Sequence, residues 1–152
     1  MKATTIATLL TGCALAAFAP ASSIAQERIA PGSKVLWPAA DVPWETMPGL
    51  KGARQARLWG DPMSGEHGIL YRWPAGTQVP VHTHTFGDRG VIVSGTLTLA
   101  VEGAAVKEFP PGSYFSMAGG TKHATGCKKG RDCVFFILRE GRFDVNMVNA
   151  AK

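Results

Sequence analysis

The chain has 152 residues, 45% of them hydrophobic and 18% charged, with 18 Gly and 10 Pro. That is enough for one domain with a buried core, and so many Gly and Pro exclude a fold of long helices. A formal net charge of +5 is too mild to argue for a nucleic-acid partner.

The first 25 residues read as a secretory signal. Lys2 is the only charge before Glu27, an apolar stretch runs from Ile6 to Phe18, and small residues lead to Ser23-Ile24-Ala25, so cleavage is expected after Ala25. The apolar stretch is short for a membrane span and Pro20 interrupts it, so no stable membrane anchor is expected. Leu10-Thr11-Gly12-Cys13 also resembles a bacterial lipobox, in which Cys13 would be lipidated. That is the weaker reading, because the stretch before Cys13 is short and apolar character continues past it to Ala25. Export to the periplasm or the medium also argues against nucleic acid. Cleavage removes only Lys2 among the charged residues, so +5 becomes +4.

Residues 26–53 read as an irregular N-terminal arm, punctuated by Pro31, Gly32, Pro38, Pro43, Pro48, Gly49 and Gly52. Val35, Leu36, Trp37, Val42 and Trp44 make it apolar enough to wrap a barrel. Residues 54–148 then change to strands. Gln55–Trp59 and Gly68–Trp73 flank a turn-rich loop, and Val79–His84, Asp88–Val93 and Thr96–Val101 follow. In the last of these Leu97, Leu99 and Val101 alternate with Thr96, Thr98 and Ala100, the period of a strand with one covered face. Ala104–Phe109, Tyr114–Met117, a short piece around His123 and Val134–Leu138 complete the set; the last is apolar on both faces and reads as a central, doubly covered strand. Short strands at intervals of roughly ten residues predict an all-β sandwich or closed barrel.

His82 and His84 sit one residue apart in a predicted strand, so their side chains share a face at a backbone spacing a little under ~7 Å. Two imidazoles so placed can lean towards one ion at about 2.0–2.1 Å. Asp88 follows after Thr85-Phe86-Gly87, where a tight connection would return it beside them, while His123 must be delivered by the fold. Alone, His-x-His is weak, and histidines that merely pack in a barrel mouth are the plain alternative. His67 is expected in solvent at a strand start. Tyr71, Trp73, Phe86 and Phe115 are candidate apolar walls, with ordinary core packing the stronger reading for each, and Arg89 should point to the opposite face from Asp88.

The surrounding glycines give the histidines a frame. Gly76, His82, His84, Asp88 and Gly95 form one stretch, and Gly112, Ala118, Gly120 and His123 a second. Both resemble the two motifs of the cupin superfamily. The resemblance spans about Gly76 to Cys127. It implies a double-stranded β-helix, or jelly-roll barrel, holding one divalent transition metal ion (Fe, Mn, Zn or Ni) on His82, His84, Asp88 and His123, with the glycines at strand reversals. The carboxylate position usually holds Glu and here holds Asp88, one methylene shorter. Ala118 replaces a usual Pro, and Cys127 a usual Asn. The resemblance also leaves open a homodimer, paired through barrel edges or the N-terminal arm.

With Cys13 removed, Cys127 and Cys133 stand alone in an oxidising compartment, five residues of hairpin between them. A structural disulfide is expected, with free thiols, a redox pair or metal thiolates as the other options. The neighbouring Lys128, Lys129 and Arg131 read as a solvated hairpin tip. No nucleophile motif, phosphate loop or nucleotide fingerprint is present, so a metal is the candidate for chemistry. Three functions follow: a metal-dependent enzyme on a small molecule, for example a dioxygenase; a non-catalytic metal- or small-molecule-binding domain; or a metal-free structural barrel.

Overall fold

The computed structural model describes residues 36–148; the expected signal segment, its cleavage site, Cys13 and Val35 lie outside the described residues. Among the described residues the chain is all-β, with no helix. One antiparallel sheet has six strands in the order β1 (Glu45–Thr46), β2 (Arg54–Gly60), β3 (His67–Trp73), β10 (Cys133–Arg139), β5 (Asp88–Ser94), β8 (Tyr114–Met117). The other has five, in the order β11 (Asn146–Met147), β4 (Gln78–Thr83), β9 (His123–Cys127), β6 (Leu97–Val101), β7 (Lys107–Phe109).

From β3 to β6 and again from β7 to β11, every connection carries the chain from one sheet to the other. This is jelly-roll topology, but the two sheets are not hydrogen-bonded into a closed barrel. The expectation of a barrel is corrected in that respect: the crossing connections hold the two sheets together, and no edge-to-edge pairing joins them.

Period-two alternation builds the core. In β10, Cys133, Phe135, Ile137 and Arg139 point inward, and in β6 Leu97 and Leu99 do so from the facing sheet. Phe135 stacks on Tyr71 at 5.4 Å between ring centres and meets Trp73 edge-on at 5.1 Å. Strand β10 is central, as its sequence predicted, between β3 and β5. Its outer residues Val134, Phe136 and Leu138 are only half-buried. Trp59 and Phe136 close over Gly68, where an added Cβ would stand 2.3 Å from the Trp59 indole nitrogen.

The motif glycines Gly76, Gly95, Gly112 and Gly120 all adopt left-handed backbone, with φ from +71° to +84°. Each marks a reversal that a side chain would strain. The arm supplies β1, which pairs with β2, and Trp44, whose ring lies 4.8 Å from the Arg72 guanidinium. The disulfide Cys127–Cys133 is formed, and both cysteines are fully buried. Lys128, Lys129 and Arg131 between them are exposed, and Lys128 pairs with Glu108 at 2.8 Å. His67 begins β3 but is fully buried, a correction to the solvent position expected of it. It lies on an interior strand, opposite Gly60 of β2 on one side and Arg139 of β10 on the other.

Candidate metal centre

Strand register brings the histidines together. His82 of β4 stands directly opposite His123, the first residue of β9, after a bulge between Val79 and His82. His84 follows just past the end of β4, on the same buried face as His82. Ring centres are 4.4 Å apart for His82 and His123, 4.9 Å for His82 and His84, and 5.4 Å for His84 and His123. The three offer ligand atoms within 4.8 Å of one another.

The backbone fixes the tautomer of each ring. Nδ1 of His82 lies 2.7 Å from the Pro80 carbonyl, Nδ1 of His123 lies 2.9 Å from the Thr121 carbonyl, and Nδ1 of His84 faces the Asp144 carbonyl. A carbonyl oxygen only accepts, so each Nδ1 carries the proton and donates. In the neutral ring the lone pair is then on Nε2, the state a metal ligand needs, with the outer hydrogen bond that usually orients it. Burial lowers the pKa of His82, and lowers that of His84 to about 4, where the nearby Arg139 guanidinium adds to the effect. Both rings are neutral at pH 7. The donor set suits a divalent transition metal, since imidazole serves zinc, iron and nickel alike.

Asp88 stands beside this cluster, with its Oδ2 3.7 Å from His84 Nε2. It begins β5 directly opposite Arg139, the last residue of β10. The two form a buried fork: Arg139 donates from Nε to Oδ1 at 2.5 Å and from Nη2 to Oδ2 at 2.6 Å. Arg139 is 3% exposed, and its Nη1 finds no acceptor among the described residues. The buried Trp73 Nε1 is likewise without one. Leaving a buried donor unpaired costs about 1–3 kcal/mol, and more for a charged group. Arg89 points outward to Glu140, as its position predicted.

The C-terminal segment straps the site. The Asp144 carboxylate accepts from Thr85 N at 2.8 Å and from Thr85 Oγ1 at 2.5 Å, and the hydroxyl bond holds its pKa down. Phe143 covers the Arg139 guanidinium at 4.7 Å, and β11 pairs with β4 along Thr83 and His82. The three histidines line a cavity of about 80 Å³ whose other walls include Tyr71, Trp73, Leu97, Leu99, Phe115 and Phe135. Three of the four aromatic wall candidates are thus in place. Phe86 instead turns onto Gly141, where an added Cβ would stand 2.4 Å from the ring, and is half-exposed. Burial pushes the Tyr71 phenol up to about 12.

Sequence reasoning missed Arg139, Phe143 and Asp144. For Arg139 a signal existed: it continues the inward alternation of Cys133, Phe135 and Ile137. Asp144 meets His84 through a main-chain oxygen, which any residue type supplies.

The family described as Domain of unknown function (DUF4437) matches residues 26–146. The chain belongs to the DUF4437 family. Solved structures similar to this DUF4437 chain include proteins described as RmlC-like cupins and a cupin-2 domain. The polyketide cyclase RemF from Streptomyces resistomycificus has 19% identity and a TM-score of 0.66, over 79% of this chain and 89% of that one. An RmlC-like cupin from Shewanella frigidimarina has 17% identity and a TM-score of 0.57, over 71% and 91%. The DMSP lyase DddQ from Ruegeria pomeroyi has 21% identity and a TM-score of 0.55, over 67% and 57%. No curated protein matches the DUF4437 chain. At these identities the likeness carries the fold alone: the chain has a cupin fold, and its chemistry must be argued from its own residues.

Proposed function

We propose that His82, His84 and His123 hold one divalent transition metal ion, and that the protein is a metal-dependent enzyme acting on a small molecule. One observation carries this reading: all three Nδ1 atoms are engaged by main-chain carbonyls, which leaves the three Nε2 atoms as the ligand atoms of one buried cluster. When bound, the ion would supply Lewis-acid polarisation of a substrate oxygen or an activated water, and iron would add the dioxygen chemistry of a dioxygenase-type enzyme.

The other residues have distinct parts. The apolar walls exclude water from the cavity and set the size of what enters. Tyr71, with its phenol pKa raised, keeps its proton and is placed to donate it as a hydrogen bond to a substrate oxygen. Thr85 and Asp144 hold the strap that orients His84. Asp88 is held beside the cluster by its fork to Arg139, and the proposal rests on the three imidazoles as ligands, with or without a free lone pair of Asp88.

The enzymes among the similar structures, a polyketide cyclase and a DMSP lyase, support catalysis on small molecules. A non-catalytic binding domain is the second reading, favoured by the engagement of Asp88 with Arg139, which leaves the carboxylate beside the cluster unavailable as a base. Replacing His82→Ala together with His84→Ala should abolish stoichiometric metal, read by elemental analysis of the purified protein, and lower its melting temperature. Unchanged metal content would rule the site out.

A further inference from the structure

The two sheets present very different outer faces. On the five-stranded sheet, register aligns Glu108, Thr98, Gly126 and Gln78 in one outward row, the polar surface expected where a sheet meets water. On the six-stranded sheet the corresponding row is Tyr114, Val91, Phe136, Leu70 and Ala56, apolar throughout save for the Tyr114 hydroxyl. Leu138 and Trp59 flank it on one side, Val134 and Val93 on the other. These side chains point away from the core, because the inward residues alternate with them along each strand. Tyr114 is 58% exposed, Val93 56% and Val91 41%. So much contiguous apolar surface marks an interaction site. Trp59 lies over Gly68, which adds no side chain of its own to the face.

Size and charge point to the occupant. Five strands at about 4.8 Å spacing and about six residues at about 3.3 Å make a face of about 24 by 20 Å, on the order of 500 Å² in plan. Two such faces pressed together reach, in plan alone, about the 1,000 Å² that a specific interface needs, and side-chain relief adds to that. The outward cations Arg54 and Arg72 lie on the Val134 side of the row, and Arg89, already paired with Glu140 at 2.5 Å, lies on the Leu138 side. A second copy turned over about an axis along the row would set Arg72 against the Trp59 side and Arg89 against the Val93 side. Cations then meet aromatic or apolar surface and never each other. We infer that this face pairs with the same face of a second copy, in an isologous dimer whose two-fold axis runs along the row from Tyr114 through Phe136 to Leu70. Such a dimer uses neither the barrel edges nor the N-terminal arm, and it does not depend on a metal.

Light scattering of the size-separated full chain should give twice the mass of one chain at micromolar concentration. Val91→Lys and Val91→Glu each set a charge on the axis against its own counterpart, so each alone should dimerise at least tenfold more weakly and run as a monomer. Mixed in equal amounts, the two should return to the dimer, because Lys then meets Glu. Tyr114→Lys and Tyr114→Glu, at the most exposed position of the row, repeat the test should the Val91 variants not fold. Monomeric wild type would overturn the inference, and its flotation with phosphatidylcholine vesicles would then assign the face to a lipid surface. Charged variants that stay dimeric would overturn it in favour of pairing through an edge or the arm. Variants that are monomeric alone and remain so when mixed would overturn it too, since the row would not then face itself.

Discussion

Strands β9 and β10 lie in opposite sheets, and each has two very different ends. At one end Cys127 and Cys133 join the sheets by a covalent bond within the apolar core. At the other, His123 and Arg139 stand among polar groups tied only by hydrogen bonds, one of them a guanidinium with a donor left over. The contrast teaches where this fold can hold an incompletely partnered site. A disulfide closing so short a loop contributes about 2 kcal/mol. An unpaired buried donor costs about 1–3 kcal/mol. The two are of similar size, so the closed end offsets what the open end costs.

The sharpest way to break that contrast is Arg139→Met. It strands Asp88 as an unpaired buried charge, and breaking such a pair typically costs about 3–5 kcal/mol. Denaturant unfolding should show a loss of that order, and a change within error of zero would mean that the ion pair is solvated. Next in size is Cys127→Ala with Cys133→Ala, expected to cost about 2 kcal/mol while leaving metal stoichiometry intact. If metal were lost as well, the two ends would be mechanically coupled and the contrast would fail.

The smallest effect is that of pH. His84 has a folded pKa lowered to about 4, below its unfolded value, so the unfolded chain takes up the proton first as pH falls. Stability of the metal-free protein is therefore fully present above about pH 6.5 and declines on the way down towards pH 4. Between pH 7 and 5.5 the loss should be on the order of 1 kcal/mol. It should shrink in His84→Gln to the part owed to His82, while a flat wild-type profile would show that the imidazoles are not desolvated.

Much of this was legible in the sequence because it depends on local spacing. Alternation in Thr96–Val101 marked β6, the i and i+2 placement of His82 and His84 marked a shared face, and the motif glycines marked turns that do need positive φ. The pairing of Cys127 with Cys133 was legible because a hairpin and an oxidising setting leave few alternatives. Contacts made across the sheets were not. That Asp88 faces Arg139 is a matter of register between residues 51 apart in sequence. The burial of His67 follows from having neighbours on both sides of its strand, and the strap at Asp144 acts partly through a main-chain atom. Side-chain type signals neither.

The carbonyls that orient the three imidazoles have a consequence for how the molecule tolerates change. Each belongs to the main chain, so replacing Pro80 or Thr121 by another residue deletes no acceptor, whereas replacing Asp144 keeps its carbonyl but loses the carboxylate that holds Thr85. The ring tautomers are thus insulated from most single-codon changes around them, and a mutational scan should find few sensitive positions near the rings beyond the histidines, the Asp88–Arg139 fork and the Thr85–Asp144 pair. A shift of backbone, such as an insertion in the β4–β5 turn, is the kind of lesion to which this arrangement is exposed.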